Sequence, residues 1–315
     1  RYSVLGDYGL ESDYTFYANT KDFQPFPSTA ERLRIFCKEA VELSIAAVGN
    51  LSRKFPEFKP GEITHLITVS CTGMYAPGLD IDLVKRLNLP TSVQRTGINF
   101  MGCYAAFNAL KAADAFCRVD KSTKVLIVCV ELCSLHFQRE PTEDNLIANA
   151  LFSDGAAALL VEAETNAPLR LRPESFCSDL AIEGERDMAW VIGNQGFEMK
   201  LSTYVPSIIK NGIAKLTTKL LNKISKELSD VRYFAVHPGG RKILESIEIE
   251  LGIDKQDNKS AYHILKNYGN MSSPTILFVL DEIMSRLIPR DQGERILSFA
   301  FGPGLTLESM ILKIE

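Results

Sequence analysis

Three short segments hold residues that could act together on an acyl group. The first runs Asn99-Phe100-Met101-Gly102-Cys103-Tyr104-Ala105-Ala106-Phe107. Cys103 follows a strand-like stretch and opens an Ala-rich helical one. A thiol at a helix N-terminus feels the positive end of the macrodipole and unpaired N–H groups. Both favour the thiolate, whose ordinary pKa is about 8.5. Gly102 permits close approach of backbone or ligand. A core cysteine ahead of a buried helix would leave the same pattern. The second segment is Val236-His237-Pro238-Gly239-Gly240. A histidine that ends an apolar strand points to the strand ends, where open α/β sheets bind ligands; a satisfied core histidine is the alternative. The third is Tyr268-Gly269-Asn270-Met271-Ser272-Ser273-Pro274. Asn270 precedes a helix with Ser272 or Ser273 as its cap, or is a plain turn residue after Gly269. His65, which begins a strand, and His263, on a helix, read as structural.

The elements that must position these residues alternate. Apolar runs of strand character cover residues 64–70, 124–130, 156–161, 233–236 and 295–301; their β-branched and aromatic content, bounded by turn residues, fits buried strands. Helices are predicted over 28–54, 103–117, 205–228, 240–251 and 273–287. The first opens on Ser28-Thr29-Ala30-Glu31, which has capping-box spacing, and continues with a stripe of Leu33, Phe36, Cys37, Ala40 and Val41. Such alternation predicts an α/β architecture. Composition changes over Glu162–Pro173 (EAETNAPLRLRP), which sets two halves, residues 1–165 and 166–315.

Composition excludes several functions. The chain has 315 residues, 46% hydrophobic and 23% charged, so it can bury a large core and is not of disordered type. Net charge is -4, which argues against general nucleic-acid or anionic-membrane binding. No apolar run reaches the roughly 18 residues of a membrane span. The opening RYSVLGDYGLESDY is polar and acidic, unlike a signal peptide. Seven cysteines, an odd number without a CxxC pair, and four histidines support no structural metal site. The thiols read as reduced and the compartment as cytoplasmic.

Taken together, Cys103, His237 and Asn270 resemble the Cys-His-Asn triad of the type III polyketide synthases, the chalcone and stilbene synthase family of the thiolase superfamily. The separations 237 − 103 = 134 and 270 − 237 = 33 are similar to those of the family. GNMSS around Asn270, the HPGG turn, the AFGPGLT segment at Ala300–Thr306 and the ALFSDGAAA segment at Ala150–Ala158 agree as well, the third with Ala300 for the family's Gly.

The resemblance implies a thiolase-like αβαβα layered fold of two pseudo-symmetric halves. It implies an acyltransferase (EC 2.3.1.-) that condenses an acyl-CoA starter with malonyl-CoA by decarboxylative Claisen chemistry on a Cys103 thioester. The short polyketide would close to a resorcinol, phloroglucinol, chalcone-like or pyrone product. His237 would hold Cys103 ionised, and His237 with Asn270 would donate to the enolate oxygen. No metal or redox cofactor is implied, because the coenzyme A thioesters are substrates. Phe152 would be a gatekeeper, and Met199 aligns with the second, with Phe197 two residues earlier as the alternative. Cys71, Thr72, Cys133, His136, Ser272, Gly302 and Pro303 match cavity positions; His136 is bulkier than the family's Thr and would restrict extension. Gly239, Gly240, Arg241 and Lys242 would help bind coenzyme A. Arg1-Tyr2 resembles the tail of the family's basic helix, so the chain reads as N-terminally short. A homodimer is implied by the loop Cys71–Gly78 (CTGMYAPG), with Ala76 in place of a Met. The rivals are a ketoacyl-ACP synthase III, which usually has Gln where Pro238 stands, and a non-catalytic acyl-CoA-binding protein of the same fold.

Overall fold

The computed structural model describes residues 2–6, 14, 16–165, 167–202 and 204–315; Arg1 lies outside them. In chain order come α1 (Thr29–Lys54), β1 (His65–Ser70), α2 (Leu79–Arg86), β2 (Gln94–Asn99), α3 (Ala105–Val119), β3 (Lys124–Leu132), α4 (Glu143–Leu151) and β4 (Asp154–Glu162). Then follow β5 (Leu171–Leu180), β6 (Met188–Gly193), β7 (Gly196–Leu201), α5 (Val205–Asn222), β8 (Tyr233–Val236), α6 (Arg241–Leu251), α7 (Lys259–Asn267), α8 (Thr275–Met284), β9 (Arg295–Gly302) and β10 (Thr306–Ile314).

Alternation along the strands dictates the layering. Ile67 and Val69 of β1 and Val125, Ile127 and Cys129 of β3 face α3 and α8. The intervening Leu66, Leu126, Val128 and Val130 face α1 and α2. In the second sheet Ile296 and Ala300 of β9 turn inward to the same pair of helices, while Leu297, Phe299 and Phe301 turn out to α5 and α6. Both faces of each sheet are therefore covered, which is why the central strands read as unbroken apolar runs. The result is helix, sheet, helix, sheet, helix: the αβαβα fold. The first sheet has order β2-β1-β3-β4, the second β5-β10-β9-β8. β1 is parallel to β2 and β3, β8 is parallel to β9, and the remaining neighbours in both sheets are antiparallel. A separate ribbon, β6–β7, stands apart from both.

Local signals account for most element ends. Ser28 caps α1, its N–H donating to Glu31 Oε2 at 2.8 Å and its Oγ accepting from Glu31 N at 3.4 Å: the capping box. α5 stops at Asn222, short of the expected 228, where Ser225 takes φ 54°. Neither Ser272 nor Ser273 caps α8. Pro274 precedes the helix, Ser272 has φ 56°, and the Ser273 hydroxyl is drawn to Glu131 at 2.5 Å. Two long strands, β5 and β10, lie where no strand is expected. β5 contains Pro173, which pairs at the bulge between Ile311 and Leu312, the place a sheet tolerates the missing donor. None of the helices among the described residues is long and apolar enough to cross a membrane.

Candidate active site

The site forms where the carboxyl ends of strands from both sheets meet. Beyond β2, Phe100 takes φ 59° and Gly102 φ 73°, and Gly102–Tyr104 make a single tight turn before α3. Cys103 thus sits in the turn rather than in the first turn of α3. Gly102 is required twice over: its φ lies in the left-handed region, and a Cβ there would run into Pro303. Gly302 answers from the other side, since a Cβ on it would come within 2.6 Å of the Tyr104 ring. Two turns, one from each sheet, are pressed together at the thiol.

His237 ends β8. Its N–H donates to Phe299 O at 2.8 Å, and Gly239 N returns to His237 O at 2.9 Å, which closes the turn. The ring is 1% exposed, lines the cavity, and neither nitrogen has a hydrogen-bond partner among the described residues. Asn270 is placed by its own surroundings. Its Oδ1 accepts from Ser272 N at 2.8 Å, so Nδ2 is the end left for the cavity, 4.0 Å from Cys103 Sγ. Its backbone pairs with Phe152: Asn270 N donates to Leu151 O at 3.0 Å and Ser153 N to Asn270 O at 2.9 Å.

Electrostatics at the thiol differ from the sequence expectation. Burial pushes the Cys103 thiol up to about 11 and the His237 imidazole down to about 3. In this dry pocket, with no hydrogen bond between Cys103 and His237, desolvation opposes the charge that the helix end would favour on the thiol. Cys71 and Cys133 are raised by burial as well.

The cavity holds about 340 Å³. It is bordered by Cys71, Thr72, Cys133, His136, Phe152, Met199, Ser272, Gly239 and Pro303, as well as by all three of Cys103, His237 and Asn270. Gly302, expected at the cavity, is not among its lining residues and packs instead against Tyr104. Phe197 and Met199 both reach it from β7. Phe197 is 1% exposed and stacks on His136, with centroids 4.2 Å apart and planes 10° off parallel. His136 is more than a bulky wall. Its Nδ1 accepts from Phe197 N at 3.0 Å, so Nε2 carries the proton and donates to Thr72 O at 2.6 Å. Burial pushes its pKa down to about 3. Gly240 caps α6; Arg241 and Lys242 are exposed, with Arg241 Nε on Glu245 at 2.6 Å.

Two residues escape sequence reading. Trp190 of β6 lines the cavity and donates Nε1–H to Cys71 O at 2.7 Å; the inward register of a short ribbon is its only signal. Glu131 ends β3 fully buried. Its Oε2 accepts from Cys71 N at 2.9 Å, Thr72 N at 3.1 Å and Thr72 Oγ1 at 2.8 Å, and its Oε1 from Ser273 Oγ. Desolvation raises its pKa against these donors. A charge inside the run KVLIVCVEL is the sequence signal for such a hub.

Residues 19–165 match the model of the N-terminal domain of chalcone and stilbene synthases, and residues 176–314 match that of the C-terminal domain. The chain is 33% identical over 297 residues to the alpha-pyrone synthesis polyketide synthase-like Pks18 of Mycobacterium tuberculosis, covering 93% of this chain and 75% of that protein. It is 31% identical over 312 residues to a probable polyketide synthase 1 of Dictyostelium discoideum, covering 96% of this chain and 10% of that much longer protein. The structure resembles the C-terminal type III polyketide synthase domain of Steely1 from Dictyostelium, with TM-score 0.84 and 28% identity, over 91% of this chain and 80% of that one. It also resembles PKS-I of the brown alga Ectocarpus siliculosus, with TM-score 0.86 and 30% identity, over 97% and 82% respectively.

Proposed function

Because the chain belongs to the chalcone and stilbene synthase family, and is a type III polyketide synthase with acyltransferase chemistry, we propose the following roles for the groups at its site. Cys103 takes the starter from its coenzyme A thioester. His237 removes the thiol proton as sulfur attacks, coenzyme A leaves, and the acyl group rests on Sγ. Malonyl-CoA then binds with its thioester oxygen facing His237 and Asn270. Its carboxylate carbon–carbon bond breaks, carbon dioxide leaves, and the electron pair becomes an enolate. The enolate carbon attacks the Cys103 thioester; a carbon–carbon bond forms and the carbon–sulfur bond breaks.

The observation that carries this reading is convergence. The two ring nitrogens of His237, without a partner among the described residues, and the amide nitrogen of Asn270, which donates only to the Cys103 sulfur at 4.0 Å, face one cavity. Donors held ready where charge develops supply the largest share of such catalysis. Phe152 serves as the gate between the coenzyme A side and the chamber, because its backbone is locked to Asn270. Phe197 and Met199 share the second gate position. The reaction uses malonyl-CoA and an acyl-CoA and calls on no metal or redox group, and Gly239, Gly240, Arg241 and Lys242 border the coenzyme A side. A homodimer through the Cys71–Gly78 loop completes the reading.

Intact-protein mass spectrometry with an acyl-CoA alone tests it first: the expected mass increment sits on Cys103 and is absent from Cys103→Ala. Malonyl-CoA added to the loaded enzyme yields polyketide. Asn270→Ala lowers decarboxylation about a hundredfold or more, the cost of one oxyanion donor. A Cys103→Ala enzyme that still makes product sinks the assignment.

A further inference from the structure

The β6–β7 ribbon forms one wall of the chamber, yet it belongs to neither sheet. Met188, Trp190, Phe197, Met199 and Leu201 line the cavity, while Val191, Glu198 and Lys200 are exposed. A two-stranded hairpin is marginal by itself, so whatever holds it sets where the wall stands. Trp190, with its N–H on Cys71 O, and His136, which accepts from Phe197 N, hold it from within the chamber. So does Gln138, whose Nε2 reaches Gln195 O and Phe197 O at 3.2 Å. A further anchor stands outside. Thr29, the first residue of α1, is not among the residues that line the cavity. Its Oγ1 donates to Gly193 O and accepts from Gly196 N at 2.9 Å, and its N–H donates to Asn194 O at 2.9 Å. The first N–H of a helix has no partner within the helix, so α1 loses nothing of its own ladder by this bond. Three backbone groups of the turn Gly193–Gly196 are thus held by one residue far away in the chain. The turn is also tightly seated: Gly196 has φ 100°, and a Cβ there would stand 3.0 Å from Arg32 Nη1.

We propose that Thr29 is a positioning residue for chain length. By fastening the turn of the ribbon it fixes the wall that carries Trp190, Phe197 and Met199, and with it how far the polyketide can grow. It touches neither substrate nor the reacting atoms. Cys103, His237 and Asn270 stand on other elements, so acyl loading does not depend on it. The link to chain length rests on the condensing reading of the site; the fastening itself does not.

Thr29→Val keeps the shape of the side chain and its backbone N–H but loses both hydroxyl bonds, whereas Thr29→Ser keeps them. Each lost bond shifts the balance between fastened and released ribbon about fivefold, and the two together about twenty-five-fold. Hydrogen exchange of the full chain, read by mass spectrometry, measures that balance. Amides of β6 and β7 should exchange about twenty-five-fold faster in Thr29→Val, those of β1 and β3 should keep their rates, and Thr29→Ser should restore the parent. With malonyl-CoA and one fixed starter, Thr29→Val should give a broader set of products that includes longer chains. Acyl loading of Cys103 should stay at the parent rate, and Thr29→Ser should give the parent product. Thr29→Ala removes the same two bonds with a better helix former; it is measured beside Thr29→Val and should behave alike. Unchanged exchange in the ribbon overturns the anchor. Faster exchange with the parent's product length, or with loading reduced in step, overturns the positioning role. Faster exchange in a chain whose parent makes no polyketide upholds the anchor and refutes the condensing role instead.

Discussion

His136→Thr tests how the chamber is held as well as how large it is. The ring is 5% exposed, bonded at both nitrogens and stacked on Phe197. Threonine reaches neither partner, so Phe197 N–H and Thr72 carbonyl are orphaned together. A buried unsatisfied group costs about 1–3 kcal/mol, and water entering the vacated space recovers part of that. The expected net loss is about 2–4 kcal/mol. At about 2–4 °C per kcal/mol for a chain of this class, Tm falls by roughly 5–15 °C. The same substitution removes an aromatic ring packed edge-on against Trp190, with centroids 5.6 Å apart. The chamber widens on that side, and products gain at least one malonyl extension. Scanning calorimetry reads the first effect, and mass spectrometry of products from a fixed starter reads the second. A His136→Thr enzyme with unchanged Tm and unchanged product length would refute the reasoning, since both effects arise from one ring.

Other perturbations address the titrating groups and the pressed turns. His136 and His237 are held neutral with pKa about 3, below the ordinary value of about 6.5. Between those values the unfolded chain binds protons that the folded one does not. Stability therefore falls as pH drops from about 6.5 towards 3, by up to about 1.4 kcal/mol per pH unit for each histidine, and is level above that window with respect to these groups. Urea melts at pH 7.5 and 5.0 measure it, and His237→Gln should flatten the slope. With the Cys103 thiol pushed up to about 11, only about one molecule in a thousand is thiolate at pH 8. Iodoacetamide should label Cys103 slowly and about tenfold faster per pH unit up to pH 10; a rate already at its plateau by pH 8 argues for an ion pair at rest. Gly102→Ala meets Pro303 and a left-handed φ of 73°. It should cost about 1–3 kcal/mol of stability, and acyl loading of Cys103 should fall further than stability alone explains; loading at the parent rate removes the case for pressed turns.

How much of this was legible in the sequence depended on whether local chemistry or distant packing decided the element. α1 announces itself through Ser28 and Glu31, and β1, β3, β8 and β9 through apolar runs that both faces of a sandwiched sheet require. The three segments around Cys103, His237 and Asn270 are legible because each needs special turn residues. β5 and β10 are not: Pro173 and the buried Glu308 break their patterns, and they are paid for by a bulge and by Lys111, which reaches Glu308 from α3. β2 is polar and largely exposed apart from its parallel pairing to β1. The ribbon β6–β7 owes its place to side-chain anchors such as Trp190 and Gln138, which no periodicity records. The desolvation that opposes ionisation of Cys103 was not legible, because a helix end is visible in sequence and the dryness of a cavity is not.

The bonds that cross between the two sheets bear on how such chains can be recombined. Glu131, at the end of β3, receives Ser273 from the segment before α8, and the backbone of Phe152 is laced to that of Asn270. A chimera joined in the stretch between β4 and β5 draws these partners from different parents. Parents that differ at residue 131 or 273 would yield hybrids in which Glu131 Oε1 or Ser273 Oγ loses its partner, while Oε2 keeps the donors of Cys71 and Thr72. Crossover libraries made at that seam should therefore sort into active and inactive members by this pair, before any difference among the chamber side chains is felt.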